Sequence, residues 1–220
     1  MINVRVFYTK TGRARFISHL DMMRFMTRAL KRSGLPVWYT EGFNRHIYTT
    51  FALPLSLGFE SLCEFMDFRL LPDEFDMEEV ATRLNACLTP DIRITGAAPV
   101  GMDPKEITWA DFRVTFFGNG IDEGGMEEAF RRFCDQSEIL VEKKTKKGIS
   151  TVDIAPLMEL LDATSSADGG WVKLRLAAGS TMNINPNLVL SAFWEYSGFA
   201  PAQTQITRLR VLTKELEDFA

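Results

Sequence analysis

Cysteine and histidine are scarce in this 220-residue chain, and their scarcity removes several chemistries at once. The three cysteines, Cys63, Cys87 and Cys134, lie far apart with no C-x-x-C pair and no neighbouring histidines. A structural zinc site, an iron–sulfur cluster and a disulfide framework therefore find no support, and the cysteines read as small core hydrophobes of a reduced, cytoplasmic protein. No P-loop or dinucleotide fingerprint occurs, so no cofactor is expected. No run approaches the roughly 18 apolar residues of a membrane span, and MINVRVFYTK lacks the apolar core of a signal peptide. The expectation is no membrane partner.

What is present is a composition of ordinary globular type, 46% hydrophobic and 25% charged, with an uneven charge. Residues 1 to 50 hold nine Lys or Arg against Asp21 and Glu41, a net +7 that leaves −11 for the remainder of a chain whose total is −4. Such asymmetry points to an anion-facing surface in the first half. The plainer alternative is that these cations pair internally with the acid-rich segments 73–79 and 122–128.

The pattern along the chain predicts an α+β protein of two tandem ferredoxin-like (split βαβ) units, antiparallel sheets with helices on one face. The first unit spans 1–100. Residues 3–9 alternate as a strand, and Ser18 with Asp21 three residues on forms a variant capping box at the head of a helix over about 19–33. Leu20, Met23, Met26 and Leu30 are expected to face the core, with Arg24, Arg28, Lys31 and Arg32 as a separate basic stripe. Extended segments at PVWYTEGF and HIYTTFAL, a strand at 61–71, an acid-started helix at 73–88 and a strand at 91–98 complete the unit. Residues 96–108 read as a linker whose end, Ile107 and Trp109, packs. The second unit spans 109–220: strand ADFRVTFF, helix GMEEAFRRFCDQ, strands EILVEKK and GISTVDI, an inserted short helix APLMELLDA, a polar loop TSSADGG, strand WVKLRLAAG, a helix capped by Asn185 or Asn187, and strand QITRLRVLT.

Three places carry possible chemistry. His19 and His46 are catalytic candidates, because two imidazoles beside phosphate-binding arginines are the parts of a metal-independent endoribonuclease; the plainer reading makes His19 the first residue of a helix and His46 a loop residue on a phosphate or carbonyl. The stretch GFNRHIYTTFALPLSLGFES, 42–61, combines glycines with Arg45, His46, Tyr48 and Phe51, a set that suits single-stranded or looped RNA better than a duplex. For Phe51, Leu53 and Leu55 the core is the better expectation. KKTKKG, 143–148, reads as a solvated hairpin tip or as a phosphate clamp that Arg208 and Arg210 extend. The predicted binding set is Arg13, Arg15, Arg24, Arg28, Lys31, Arg32, Asn44, Arg45, His46, Tyr48, Lys143, Lys144, Lys146 and Lys147. Nothing in it points to DNA.

TKTGRARFISHLD (9–21), Gly42-Phe43-Asn44, FALPLSLGFES (51–61) and KKTKKGISTVDI (143–154) together resemble the uncharacterised radical-SAM-linked protein family over nearly the whole chain. The resemblance implies a bacterial domain fused to, or encoded beside, a cobalamin-binding radical S-adenosylmethionine enzyme, often among ribosomal and RNA-processing genes. The family loop usually reads G-F-N-P-H-P, whereas Arg45 and Ile47 stand here in place of prolines. The chain lacks the C-x-x-x-C-x-x-C cluster motif, so radical chemistry would come from a separate partner. The order of elements is also similar to that of RNA-cleaving CRISPR repeat-processing proteins, an analogy of fold alone. The resulting expectation is an accessory protein without catalysis of its own that binds RNA or presents it to a radical SAM partner. The alternatives are the endoribonuclease and a protein-interaction scaffold with no RNA contact.

Overall fold

The computed structural model describes residues 1–117, 125–145, 148–166, 169–199 and 201–220. The chain divides into two compact units, Met1–Pro104 together with Ala220, and Lys105–Phe219. Each is a mixed α/β structure built on antiparallel strand pairs.

In the first unit, strand β1 (Ile2–Lys10) is central, pairing with β2 (Glu60–Leu70) on one side and β3 (Ile92–Pro99) on the other. Val4, Val6 and Tyr8 of β1 and Met66, Phe68 and Leu70 of β2 are buried together with Met22, Met26, Ala29 and Leu30 of helix α1 (His19–Arg32) and Val80 and Leu84 of helix α2 (Met77–Asn85). Alternation along the strands and 3.6-residue spacing along the helices thus meet in one apolar layer.

Local signals fix the start of α1. Ser18 is the N-cap: its hydroxyl accepts from the Asp21 backbone N–H at 3.2 Å and donates to the Asp21 carboxylate at 2.7 Å. The carboxylate therefore closes on the capping hydroxyl instead of the backbone N–H of a regular capping box. Of the residues expected to face the core, Met26 and Leu30 are buried, whereas Met23 is half-buried. Leu20 is 55% exposed, and the sheet covers the 22/26/29/30 face instead. A helix with apolar residues around more than half its girdle leaves the choice of face to what packs on it.

The extended segments expected after Pro36 do not build a ladder. Residues 37–50 pair as isolated bridges, Val37 to Leu70, Tyr39 to Ile47 and Thr50 to Asp67. Pro36 removes a ladder donor, and Gly42, at φ +105°, turns the chain before a run of pairs can accumulate.

In the second unit, β4 (Trp109–Phe117), β7 (Met158–Ser166), β8 (Gly169–Ala177) and β9 (Gln203–Leu212) are ordered β9–β4–β8–β7. Helices α3 (Gly125–Cys134) and α4 (Pro186–Ser197) cover it through Phe130, Phe133 and Phe193, whose rings meet within 6 Å. Asn185 caps α4, accepting from the Asn187 N–H, and Gly198 closes it at φ 69°. A separate hairpin joins β5 (Leu140–Thr145) to β6 (Gly148–Asp153). Ile107 is buried, as its place at the end of the linker implied.

The inserted helix is a correction. Only Ala155–Leu157 make a single 3-10 turn, and Met158 onward is strand β7, paired with β8 through Leu160 and Leu174. Leu, Met, Glu and Ala favour a helix locally, but cross-strand pairing of apolar residues, among them the buried Ala163 with Val172, outweighs that weak preference. The TSSADGG loop shrinks accordingly: Ser165 pairs Gly170 inside the ladder.

Candidate nucleic-acid interface

The basic stripe of α1 borders an open groove of about 460 Å³ in the first unit. Leu20, Met23, Arg24, Thr27, Arg28 and Lys31 form one wall, and His46, Ile47, Tyr48 and Thr49 form the other. At 1.5 Å rise per residue, Arg24 and Lys31 lie about 10 Å apart along the helix axis. Arg28 and Lys31 are exposed and have no ion pair among the described residues. Arg24 is held 3.2 Å from Asp21 of its own helix. The internal pairing with segment 73–79 does not occur: Asp73 takes the N-terminal amine and Glu79 takes Arg83. The 122–124 part of the other acid segment lies outside the described residues.

The opposite wall is tied down by its own hydrogen bonds. The Thr40 N–H donates to the His46 carbonyl at 2.9 Å, and the His46 N–H donates to the Thr40 hydroxyl at 3.1 Å. Ile47 is buried and bridges to Tyr39, which places Tyr48 on the exposed side. The His46 Nδ1 lies 3.0 Å from the Asn44 carbonyl and 3.2 Å from the Thr40 hydroxyl, and a hydrogen bond to the carbonyl, which can only accept, requires the hydrogen on this nitrogen. Nε2 is then the ring position open to a ligand, accepting when the ring is neutral and donating when it is protonated.

His19 does not line this groove. It opens α1 half-buried, its ring edge-on to Phe51 with centroids 5.4 Å apart. Burial holds its imidazole below the ordinary 6.5; the Glu64 carboxylate opposes that shift and the Lys10 ammonium reinforces it. The two histidines thus sit in different surroundings.

The other predicted residues are dispersed. Arg13 is exposed and 3.7 Å from Asp91, on a 3-10 turn entered through Gly12 at φ +55°. Arg15 lays its guanidinium over the Phe16 ring at 4.8 Å, and Arg32 donates to the Cys87 carbonyl at 2.7 Å. Asn44 and Arg45 are exposed beside His46. Lys143 and Lys144 belong to β5, while Lys146 and Lys147 lie outside the described residues. Arg208 is buried and Arg210 donates to Asp218 at 2.7 Å, so neither presents a free clamp.

Sequence reasoning missed two contributions to the groove: Leu20 and Met23, assigned to the core, supply apolar parts of its helical wall. Phe43 of the Gly-Phe-Asn loop, absent from the predicted binding set, is fully exposed beside the groove wall; a large aromatic between Gly42 and Asn44 in a turn was the available signal. Among the described residues no cluster of three or more His, Cys, Asp or Glu is arranged to hold a metal ion, and no helix is long and apolar enough to cross a membrane.

The profile of an uncharacterised protein family conserved in bacteria, DUF2344, matches residues 3–186. The chain belongs to the DUF2344 family. No curated protein matches it. Among solved structures, this DUF2344 chain is similar to a chain in the crystal structure of a Cbf5–Nop10–Gar1 complex, with a TM-score of 0.51 and 11% identity over 94% of this chain and 48% of that one. The DUF2344 chain thus spans about half the length of that relative, and at this identity the likeness is one of fold. An unknown protein from Galdieria sulphuraria matches with a TM-score of 0.27 and 14% identity, over 94% of this chain and 96% of that one.

Proposed function

We propose that this DUF2344 protein is an RNA-binding module, without catalysis of its own, that presents single-stranded RNA to a radical SAM modification partner. The observation that carries the reading is the α1 groove. Three cations, Arg24, Arg28 and Lys31, follow one wall while an exposed tyrosine and a histidine with an open Nε2 stand on the other. Phosphates along the helix and a base against Tyr48 is the division of labour found in single-strand binding sites. The radical SAM partner is supported by the motif resemblance over residues 9–21, 42–44, 51–61 and 143–154. The element order of the two units is in keeping with tandem split βαβ folds at 1–100 and 109–220.

The test is binding of the purified protein to total bacterial RNA across a salt series, with an Arg24→Glu/Arg28→Glu variant alongside. Three phosphate contacts on a single strand give a log–log slope of about −2, or roughly twentyfold weaker binding between about 50 and 200 mM salt. The variant is expected to bind far more weakly with a flattened slope. A salt-independent affinity, or full binding by the variant, removes the proposal. RNA cleavage in the presence of chelator, lost in His46→Ala with binding retained, would replace it with the nuclease reading. A tight complex with the radical SAM protein that ignores both charge reversals would favour the scaffold.

A further inference from the structure

The second unit contains a larger groove, about 640 Å³, with no part in the reading above. Residues 138–142 line one side in unbroken succession, and Leu188, Ser191, Ala192, Glu195 and Tyr196, one face of α4, line the other. No residue of β6 contributes. The groove therefore runs along the edge of β5 that faces away from its hairpin partner.

The register shows which backbone groups that edge offers. The Ile154 N–H donates to the Ile139 carbonyl at 2.9 Å, so residues 139 and 154 form a hydrogen-bonded pair. Antiparallel pairs alternate, which makes Leu140 with Asp153 and Glu142 with Thr151 the non-bonded pairs. The N–H and C=O groups of Leu140 and Glu142 consequently point out of the hairpin into the groove. No hydrogen bond from them to another part of the chain occurs among the described residues. The floor is apolar, with Phe133 buried against the half-exposed Tyr196 ring at 5.5 Å. The rim carries a single sign: Glu138, Glu142 and Glu195 are exposed and have no cationic partner among the described residues.

We infer that this groove binds an extended segment of a partner protein in which apolar and basic residues alternate, added as a third strand to the open edge of β5. Main-chain bonds to Leu140 and Glu142 would supply the pairing that an unpaired edge lacks. Apolar side chains on one face of the added strand would meet Phe133 and Tyr196, and its Lys or Arg residues would meet the three glutamates. The acidic rim selects against RNA and against acidic segments.

The test uses the full-length protein and a peptide alternating lysine and valine, read by amide hydrogen exchange. The Leu140 and Glu142 amides are expected to exchange freely in the protein alone and to slow by about tenfold or more with saturating peptide. A glutamate–valine peptide should do nothing. A Glu138→Lys/Glu195→Lys variant, altered only at exposed positions, should lose about tenfold or more in affinity for the lysine peptide. No protection at millimolar peptide overturns the inference, as does equal protection by both peptides or binding that leaves these two amides unprotected. Protection that rises with protein concentration in the absence of peptide would assign the edge to a second copy of this chain and overturn it likewise.

Discussion

The Arg5 guanidinium grips the Asp67 carboxylate through two parallel N–H···O bonds of 2.8 Å, directly across the β1–β2 ladder. Arg5 is wholly buried, and its remaining donors reach the carbonyls of Ala220 and Met102, each at 3.0 Å. The second unit repeats the device with the signs exchanged: Asp111 on the central strand β4 is buried and accepts from Arg175 of β8 at 2.8 and 3.2 Å. Each unit thus has an ionic cross-strand pair on a central strand, with the planar fork of arginine meeting a carboxylate in the geometry it fits best.

Removing the acid leaves a buried guanidinium without the carboxylate that neutralises it. Asp67→Ala is therefore expected to lower stability by about 3 kcal/mol, and Asp67→Asn, which keeps the shape and one acceptor, by less. Equilibrium urea unfolding measures both. A loss of under about 1 kcal/mol for the alanine variant would mean that Arg5 finds solvent when its partner goes.

None of this pairing was legible in the sequence, because Arg5 and Asp67 stand 62 residues apart and nothing local links them. What was legible is what short stretches decide for themselves: the Ser18 cap, the helices started by carboxylates or Asn185, and the alternating runs of β1, β4 and β9. Strand β7 was hidden because Met158 to Ala163 carry helix-favouring side chains and become a strand only through Leu174 and its neighbours on β8. The basic stripe on α1 was visible, and five of the named binding residues, Arg24, Arg28, Lys31, His46 and Tyr48, line one groove. That they share it depends on bridges from residues 37 and 50 to β2, which no periodicity announces. Leu20 and Met23 were misplaced for a related reason: helical spacing defines faces, and the partner chooses among them.

The head of α1 couples stability to the charge of the groove. Ser18 and Arg24 both bond to Asp21 and hold its carboxyl below the usual carboxylate range, the Ser18 hydroxyl most of all. Ser18→Ala should cost about 1 kcal/mol of stability through the lost cap. Asp21→Asn should instead free Arg24 and tighten polyanion binding a few-fold at low salt, an effect that fades at high salt. Unchanged binding in Asp21→Asn would show that Arg24 takes no part in holding the anion.

Cys134, at the end of α3, offers a chemical probe of the second unit. Burial pushes its thiol up to about 12, with Asp135 adding to the shift, so almost no thiolate is present at pH 8. Iodoacetamide at that pH should leave Cys134 unmodified in the folded protein and label it quickly in denaturant, as read by peptide mass mapping. Rapid labelling under native conditions would mean that α3 opens readily from the core formed by Phe130, Phe133 and Phe193.

The pH dependence of the first unit should carry the mark of His19. Its pKa is lowered on folding, chiefly by burial beside Phe51, so the folded protein binds fewer protons at this site than the unfolded chain does. Its contribution is fully present above about 6.5, the unfolded value, and is lost as pH falls through that value toward the lowered folded one. Carboxylates of ordinary pKa titrate mainly below this window. Urea midpoints measured from pH 8 down to 5.5 should therefore fall in the parent protein and fall less in His19→Gln, which cannot take up the proton. The change arises from charging a half-buried imidazole against the Lys10 ammonium, with Glu64 limiting its size. Parallel curves for the two proteins would show that the ring reaches water before it is protonated, and that its packing against Phe51 opens at little cost.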